Sequence, residues 1–304
     1  MSSARDLLRR GTALLERLPG TDPALEARLL LRGATGLTEE DLWSEIDRTI
    51  SPAATRRFLR LVAKRRERVP LAYLTGEKEF WSLSFRVFPG VLIPRPETEL
   101  LVQTAVRLSF GGPETIVEVG TGSGCVAIAL ARELPASRIF AIDPSRRALR
   151  ASRINSARHS SASVTWLEGR FFEPLSGRVR PGNVDIVVSN PPYIAEGEWR
   201  RLAPEVRLHE PKRALVGGGS DGSGFIRRLA AGAAAVLRPG GWLVFEVGAG
   251  QAAAAAALFR EGWEAPRTER DLAGIPRVVS VRRSFPEAPA IPPMLVGGKG
   301  GEDE

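Results

Sequence analysis

Cysteine, histidine and long apolar runs are what this chain has least of. Its 304 residues include one cysteine, Cys125, and two histidines, His159 and His209. A single thiol excludes an internal disulfide and fits a reducing compartment. Neither histidine lies in a recognisable catalytic motif, and the sequence calls for no metal. No apolar run approaches the roughly 20 residues that span a bilayer. The amino-terminal "MSSARDLLRRGTALLERLPG" has no apolar core followed by a small-residue cleavage site. It is Arg-rich, as transit peptides are, but Asp6 and Glu16 at helical spacing favour an ordinary amphipathic helix. The expectation is a cytoplasmic protein with no membrane partner.

What is present is a soluble composition, 43% hydrophobic and 26% charged, in a chain long enough for two domains with a sizeable core. The net charge of +8 and pI near 10.6 suggest a polyanionic partner, although charge speaks of association and not of fold. The densest patch runs from Arg56 to Arg68, with seven basic residues opposed only by Glu67. Two readings stay open there, a solvated helix face and a surface for nucleic acid or the ribosome.

Apolar residues at helical spacing, broken at Pro19-Gly20, Gly33 to Gly36 and Ser51-Pro52, predict a bundle of four or five helices over residues 1–72. Residues 73–95 turn aromatic and β-branched, and Phe85, Val87 and Phe88 with Pro89-Gly90 predict a linker containing a β-hairpin that packs against its neighbour. From 96 to 284, a helix at "RPETELLVQTAVRLSF" is followed by strand-like runs alternating with helix-like ones. That pattern predicts an α/β domain with a parallel, doubly wound sheet. Within it "VDIVVSN" has almost no polar face and reads as a buried parallel strand, so a ligand is expected beyond its carboxyl end. "QAAAAAALFREGW" reads as a helix, because alanine is the best helix former. Residues 285–304, rich in proline and glycine with an acidic end, are expected to be a disordered tail.

Two motifs carry chemistry. "VEVGTGSGCVAIALA" places Gly120, Gly122 and Gly124 between a strand and a helix, where glycine permits a tight turn and lets backbone approach a nucleotide-like ligand. The spacing is G-x-G-x-G, and the third glycine of a dinucleotide fingerprint would fall on Cys125. The next strand ends at Asp143, whose carboxylate suits the two hydroxyls of a ribose. That residue serves dinucleotide cofactors equally well, and it also suits a plain helix cap. The second motif is "SNPPYI", with Asn190, Pro191, Pro192 and Tyr193 at a strand end.

These features together resemble the S-adenosylmethionine-dependent methyltransferases that act on planar nitrogen, where the target is an amide or the exocyclic amine of a base. Such a nitrogen is a poor nucleophile because its lone pair is delocalised. The Asn190 side-chain oxygen and the Pro191 carbonyl can each accept one N–H, while the prolines hold these acceptors still. Tyr193 packs its ring on the planar group. No strong base is needed, since the nitrogen becomes acidic as the methyl bond forms.

The stretch "PLAYLTGEKEFWSLSFRVFPGVLIPRPETELLV", Pro70 to Val102, narrows the resemblance. It is similar to the linker of the PrmC/HemK family of release factor glutamine methyltransferases, and "HEPKRALVGGGSDG" and "LRPGGWLVFEVG" follow in that family's order. The resemblance spans roughly residues 5 to 283. It implies a Rossmann-like catalytic domain, a hairpin linker and an amino-terminal helical domain that helps recognise the substrate. The implied reaction moves a methyl from S-adenosyl-L-methionine to the glutamine N5 of the Gly-Gly-Gln loop in class I peptide chain release factors, leaving S-adenosyl-L-homocysteine. By position, Gly120, Thr121, Gly122, Ser123, Gly124, Asp143, Phe171 and Asn190 bind the cofactor. Asn190, Pro191 and Tyr193 are catalytic, and Asn190 to Tyr193 hold the glutamine. Arg170 departs from the family, which carries an acidic residue there, and Glu168 stands near enough to compensate. A monomer with no required nucleic-acid contact is expected. The alternatives are a ribosomal-protein glutamine methyltransferase, which shares the catalytic domain, and an adenine methyltransferase, suggested by the basic patch.

Overall fold

The computed structural model describes residues 2–161 and 163–285; the expected tail from 286 onward lies outside them. Helices α1 (Ala4–Leu15), α2 (Pro23–Thr35), α3 (Glu39–Ser44), α4 (Pro52–Arg66) and α5 (Leu71–Thr75) form the amino-terminal part. Their starts are set by side chains that accept otherwise orphaned N–H groups. Ser3 and Thr38 make capping boxes with Asp6 and Asp41, and Asp22 and Ser51 precede a proline in the first turn. Leu7, Leu15, Leu30, Leu31, Phe58 and Val62 meet in one apolar cluster.

The basic patch divides on this helix. Arg56, Arg57, Arg60 and Lys64 are exposed on α4, whereas Arg65 is buried and grips Glu26 through two bonds of 2.8 and 3.0 Å. Arg65 and Arg68 also reach Glu205 at 3.1 and 2.9 Å. Two of the seven cations are therefore structural and tie the helical part to the short helix Pro204–His209.

Strands β1 (Glu77–Phe80) and β2 (Leu83–Arg86) form the expected hairpin. Its turn is Trp81-Ser82, both at φ +54°, and Pro89-Gly90 makes a separate bend after it. A left-handed turn without glycine carries a steric cost. It is offset where Glu99 accepts the Trp81 N–H at 2.7 Å and Glu133 accepts its indole N–H at 2.8 Å. Phe80 and Phe85 enter the core of the following domain.

A 3-10 turn at Pro96–Thr98 leads into α6 (Glu99–Leu108), and then β3 (Thr115–Val119), α7 (Cys125–Glu133), β4 (Arg138–Asp143), α8 (Arg146–Arg158), β5 (Val164–Glu168) and β6 (Val184–Ser189) alternate. After α9 (Pro204–His209) come α10 (Gly224–Val236), β7 (Leu237–Glu246), α11 (Ala252–Ala256), β8 (Arg267–Arg270) and β9 (Pro276–Arg282). The sheet order is β5-β4-β3-β6-β7-β9-β8. The first five strands are parallel, as expected, but β9 pairs antiparallel with β7 and β8 with β9, so the sheet is mixed. "PRVVSVR" returns beside β7 without an intervening long helix, and an antiparallel neighbour needs no crossover.

One face of the sheet buries Ile116, Ile186 and Val244 under α6 and α7; the other buries Val117, Val187 and Phe245 under α10 and α11. The alanine run forms a helix only over Ala252–Ala256, shorter than expected. The chain then turns Phe259 back onto Phe245 and Trp263, with ring centroids 5.8 and 5.3 Å apart. Burying that ring outweighs the few tenths of a kcal/mol by which each alanine favours helix. Among the described residues no helix is long and apolar enough to cross a membrane.

Candidate active site

The chain lays down β3, β4 and β5 outward in one direction and then returns to place β6 on the other side of β3. Ligands of doubly wound sheets bind where the order reverses, beyond the carboxyl ends of the strands. The two motifs of the sequence leave these neighbouring strands side by side. Gly120 follows β3 and Asn190 follows β6, and the pairing of Ile116 with Ile186 sets their register.

The glycine loop leans on the end of β4. Gly120 and Thr121 donate to the Ile142 carbonyl at 2.8 and 3.1 Å, and Gly122 donates to Asp143 Oδ2 at 2.9 Å. Gly124, at φ +83°, is a packing glycine: a Cβ there would lie 2.8 Å from Ser152 Cβ and 2.9 Å from the Trp166 ring. A Cβ on Gly122 would meet open space. Thr121 and Ser123 are buried. Thr121 donates to Glu118 Oε2 at 2.5 Å, and the same oxygen accepts Ala127 N–H in the first turn of α7 at 3.2 Å. Burial raises the Glu118 carboxyl to about 7. Burial also raises Asp143, opposed by N–H groups of Gly122 and Ser145 and by the Arg213 charge. The helix-cap role falls to Ser145, which accepts Ala148 N–H, so Asp143 is not the cap of α8.

A cavity of about 400 Å³ opens in front of this loop, lined by Gly120, Gly122, Asp143, Phe171, Asn190 and Arg213 among others. Its size is in the range of pockets that enclose small organic ligands. The Phe171 backbone is left-handed at φ +48°; its ring lies 4.6 Å from Phe225, with the Arg228 guanidinium 4.9 Å from its centre. Arg170 is on the lining, but Glu168 turns outward to Arg146 at 2.9 Å and does not take its place.

Asn190 to Tyr193 are clamped from several sides. Ile194 N–H donates to Leu215 at 2.9 Å and Gln251 donates to the Tyr193 carbonyl at 2.8 Å. Gly217 of the "GGGSDG" stretch comes so close that a Cβ would lie 2.4 Å from the Pro192 oxygen. Among the described residues no hydrogen bond reaches the Pro191 carbonyl.

Sequence reasoning missed the residues behind Asn190. Its Nδ2 donates to Thr98 Oγ1 at 2.9 Å, Thr98 donates to Glu246 Oε2 at 2.6 Å, and Tyr193 donates to Glu246 Oε1 at 3.2 Å. Thr98 ends the 3-10 turn before α6, and Glu246 ends β7, the neighbour of β6. Burial raises Glu246 to about 7 and the Tyr193 phenol above its ordinary value. A signal existed: "VEVG" and "FEVG" each set one glutamate at the end of an apolar strand, where an ion persists only if it is held.

A family model described as "PrmC N-terminal domain" matches residues 6–76, and one described as "Methyltransferase small domain" matches residues 96–222. A release factor glutamine methyltransferase from Geobacter sulfurreducens is 41% identical over 259 residues, covering 85% of this chain and 89% of that protein. The chain belongs to the release factor glutamine methyltransferase family. Another relative of that name, from Nitratidesulfovibrio vulgaris, is 40% identical over 288 residues, 93% of this chain and 96% of that one. Among solved structures, a methyltransferase from Pyrococcus furiosus aligns with TM-score 0.50 at 17% identity, over 73% of this chain and 100% of that one, a likeness of fold. As a member of the release factor glutamine methyltransferase family the chain is an enzyme, a methyltransferase. Its switch-point cavity and the Asn190 loop are then the place to look for its chemistry.

Proposed function

We propose that this enzyme moves a methyl group from S-adenosyl-L-methionine to the N5 side-chain nitrogen of the glutamine in the Gly-Gly-Gln loop of class I peptide chain release factors, leaving S-adenosyl-L-homocysteine. The observation that carries this reading is the position of Asn190, which lines the cavity of the glycine loop while its Nδ2 is occupied behind by Thr98. Its oxygen is left for an incoming amide. The glutamine and the release factor are what the named relatives add.

The residues present fit the cofactor. Asp143 spends one lone pair on Gly122 and one on Ser145, and each oxygen keeps another for a ribose hydroxyl. The open side of Gly122 admits a ligand against backbone, and Phe171 frames the adenine end. Bound there, the cofactor supplies a methyl group on a positively charged sulfur.

The chain's own residues do the rest. Asn190 Oδ1 and the Pro191 carbonyl each accept one N–H of the glutamine, so that the face of its nitrogen points along the cavity. Orientation of this kind removes several kcal/mol from a barrier, of the ~7–11 that proximity can supply. The acceptors also favour the transition state over the ground state, because both N–H groups become more acidic as the nitrogen gains positive charge. One of those protons leaves to solvent after transfer. Tyr193 packs against the amide plane. The helical part recognises the release factor, and the ties from Arg65 and Arg68 to Glu205 hold it against α9, which follows Tyr193 in the chain. Within this reading the enzyme works as a cytoplasmic monomer.

The test is transfer of label from methyl-labelled S-adenosylmethionine to purified class I release factor, with ribosomal protein, total RNA and DNA in parallel tubes. Label in the release factor, lost when its Gly-Gly-Gln glutamine is replaced, is the expected result. Label in nucleic acid or ribosomal protein but not in the release factor overturns the proposal.

A further inference from the structure

A side-chain amide can present either end to a partner, and only one end of Asn190 suits the proposed reaction. Its oxygen must face the substrate, because the glutamine brings two N–H donors. The choice is made behind Asn190. Thr98 has one hydroxyl proton and lone pairs to accept with. While Glu246 is ionised it can only accept, so the Thr98 proton goes to Oε2 at 2.6 Å, and Thr98 must accept from Asn190. Tyr193 occupies the other carboxylate oxygen at 3.2 Å. Two donors hold the carboxylate, and the Asn190 NH₂ is drawn backward.

A protonated Glu246 reverses the chain of donors. It donates to Thr98, whose own proton then turns toward Asn190 and favours the amide oxygen there. The NH₂ would face the cavity and meet the glutamine N–H groups donor to donor. We propose that Glu246, acting through Thr98, selects which end of the Asn190 amide faces the substrate, and that both are positioning residues for the glutamine. This rests on the function proposed above and adds to it a device that the glycine loop does not contain.

The groups facing Glu246 agree with such a role. Thr98 and Tyr193 approach it as donors, and Arg277 from β9 favours its ionised form while Glu97 opposes it. Arg277 is itself engaged with Asp271 at 2.9 Å and leaves the carboxylate to its two hydroxyl donors. Burial lifts Glu246 to about 7, so its charge changes near neutral pH.

The experiment is a steady-state assay with S-adenosylmethionine and full-length class I release factor on wild type, Thr98→Val, Thr98→Ser, Glu246→Gln and Glu118→Gln, with cofactor affinity from calorimetry. Label transfer by wild type establishes the parent reaction; its absence fails the proposed function itself, before any variant is compared. With wild type active, Thr98→Val should lower kcat roughly 10- to 100-fold while cofactor affinity stays within about threefold, and Thr98→Ser should restore most of the rate. Wild-type kcat should fall on the acid side of neutrality, and that limb should vanish in Glu246→Gln yet persist in Glu118→Gln. Thr98→Val at near wild-type kcat, or an acid limb retained in Glu246→Gln, overturns the inference. The pH comparison stands even if Thr98→Val does not fold.

Discussion

Glu118 and Glu246 are both buried carboxylates at the ends of apolar strands, each raised to about 7 by burial, but they support their halves of the site differently. Glu118 holds Thr121 and Ala127, three and nine positions along the chain, so its bracing of the glycine loop is closed within one strand-loop-helix unit. Glu246 holds Thr98 and Tyr193, 148 and 53 positions away. The amide half exists only once β6, β7 and the turn before α6 have met. A local unit supports itself; a dispersed one depends on the closed fold.

If the halves are separable, single substitutions should dissociate them. The largest effect is expected from Asn190→Ala, which removes the proposed acceptor for the glutamine. Transfer should drop by about a thousandfold or more while calorimetry finds cofactor affinity within about threefold. Parallel loss of binding would join the two halves. Gly124→Ala strikes the other side. A methyl forced toward Ser152 and Trp166 at φ +83° should cost about 3 kcal/mol in urea unfolding and weaken the cofactor before it affects the amide loop. Unchanged stability there would mean that α7 can shift away.

Glu118→Gln tests the buried charge. Its folded-state pKa lies above the ordinary glutamate value, so its favourable contribution is complete below about pH 4.5 and is lost as pH rises through about 7. Between pH 5 and 8 wild type should lose up to about 3 kcal/mol from this group, and the variant should show a flatter pH dependence by chemical unfolding. An equal slope in both proteins would deny that Glu118 is strained. The smallest effect belongs to Glu168→Gln. Its side chain is half-exposed and paired with Arg146, so stability should change by less than about 0.5 kcal/mol and cofactor affinity by less than about twofold. A tenfold weaker cofactor would return Glu168 to the adenine side.

The contrast also explains what could be read in advance. Gly120, Gly122, Gly124 and Asp143 stand within 24 positions, and local geometry demands glycine where the backbone turns left-handed. Asn190 to Tyr193 are marked by two prolines and by the apolar strand they end. The hairpin was legible from its aromatics, but its turn was not, because Trp81-Ser82 adopts φ +54° under the hold of Glu99 and Glu133, which no turn preference encodes. The antiparallel edge and the shortened alanine helix escaped for a similar reason. Pairing of β9 with β7 and burial of Phe259 are long-range gains that outweigh local propensity.

By itself the sequence determined the alternation of strands and helices, the G-x-G-x-G turn, the position of Asp143 and the stiff Asn-Pro-Pro-Tyr exit. Each of these is a constraint on backbone dihedrals or side-chain period, and such constraints act over a few residues. The tertiary structure alone decided which groups stand behind the Asn190 amide, which arginines of the basic patch turn inward, and where Glu168 points. Those outcomes depend on hydrogen bonds and ion pairs closed across as many as 148 positions. A lone polar residue in an apolar strand announces that it needs a partner, and only packing says which one it finds.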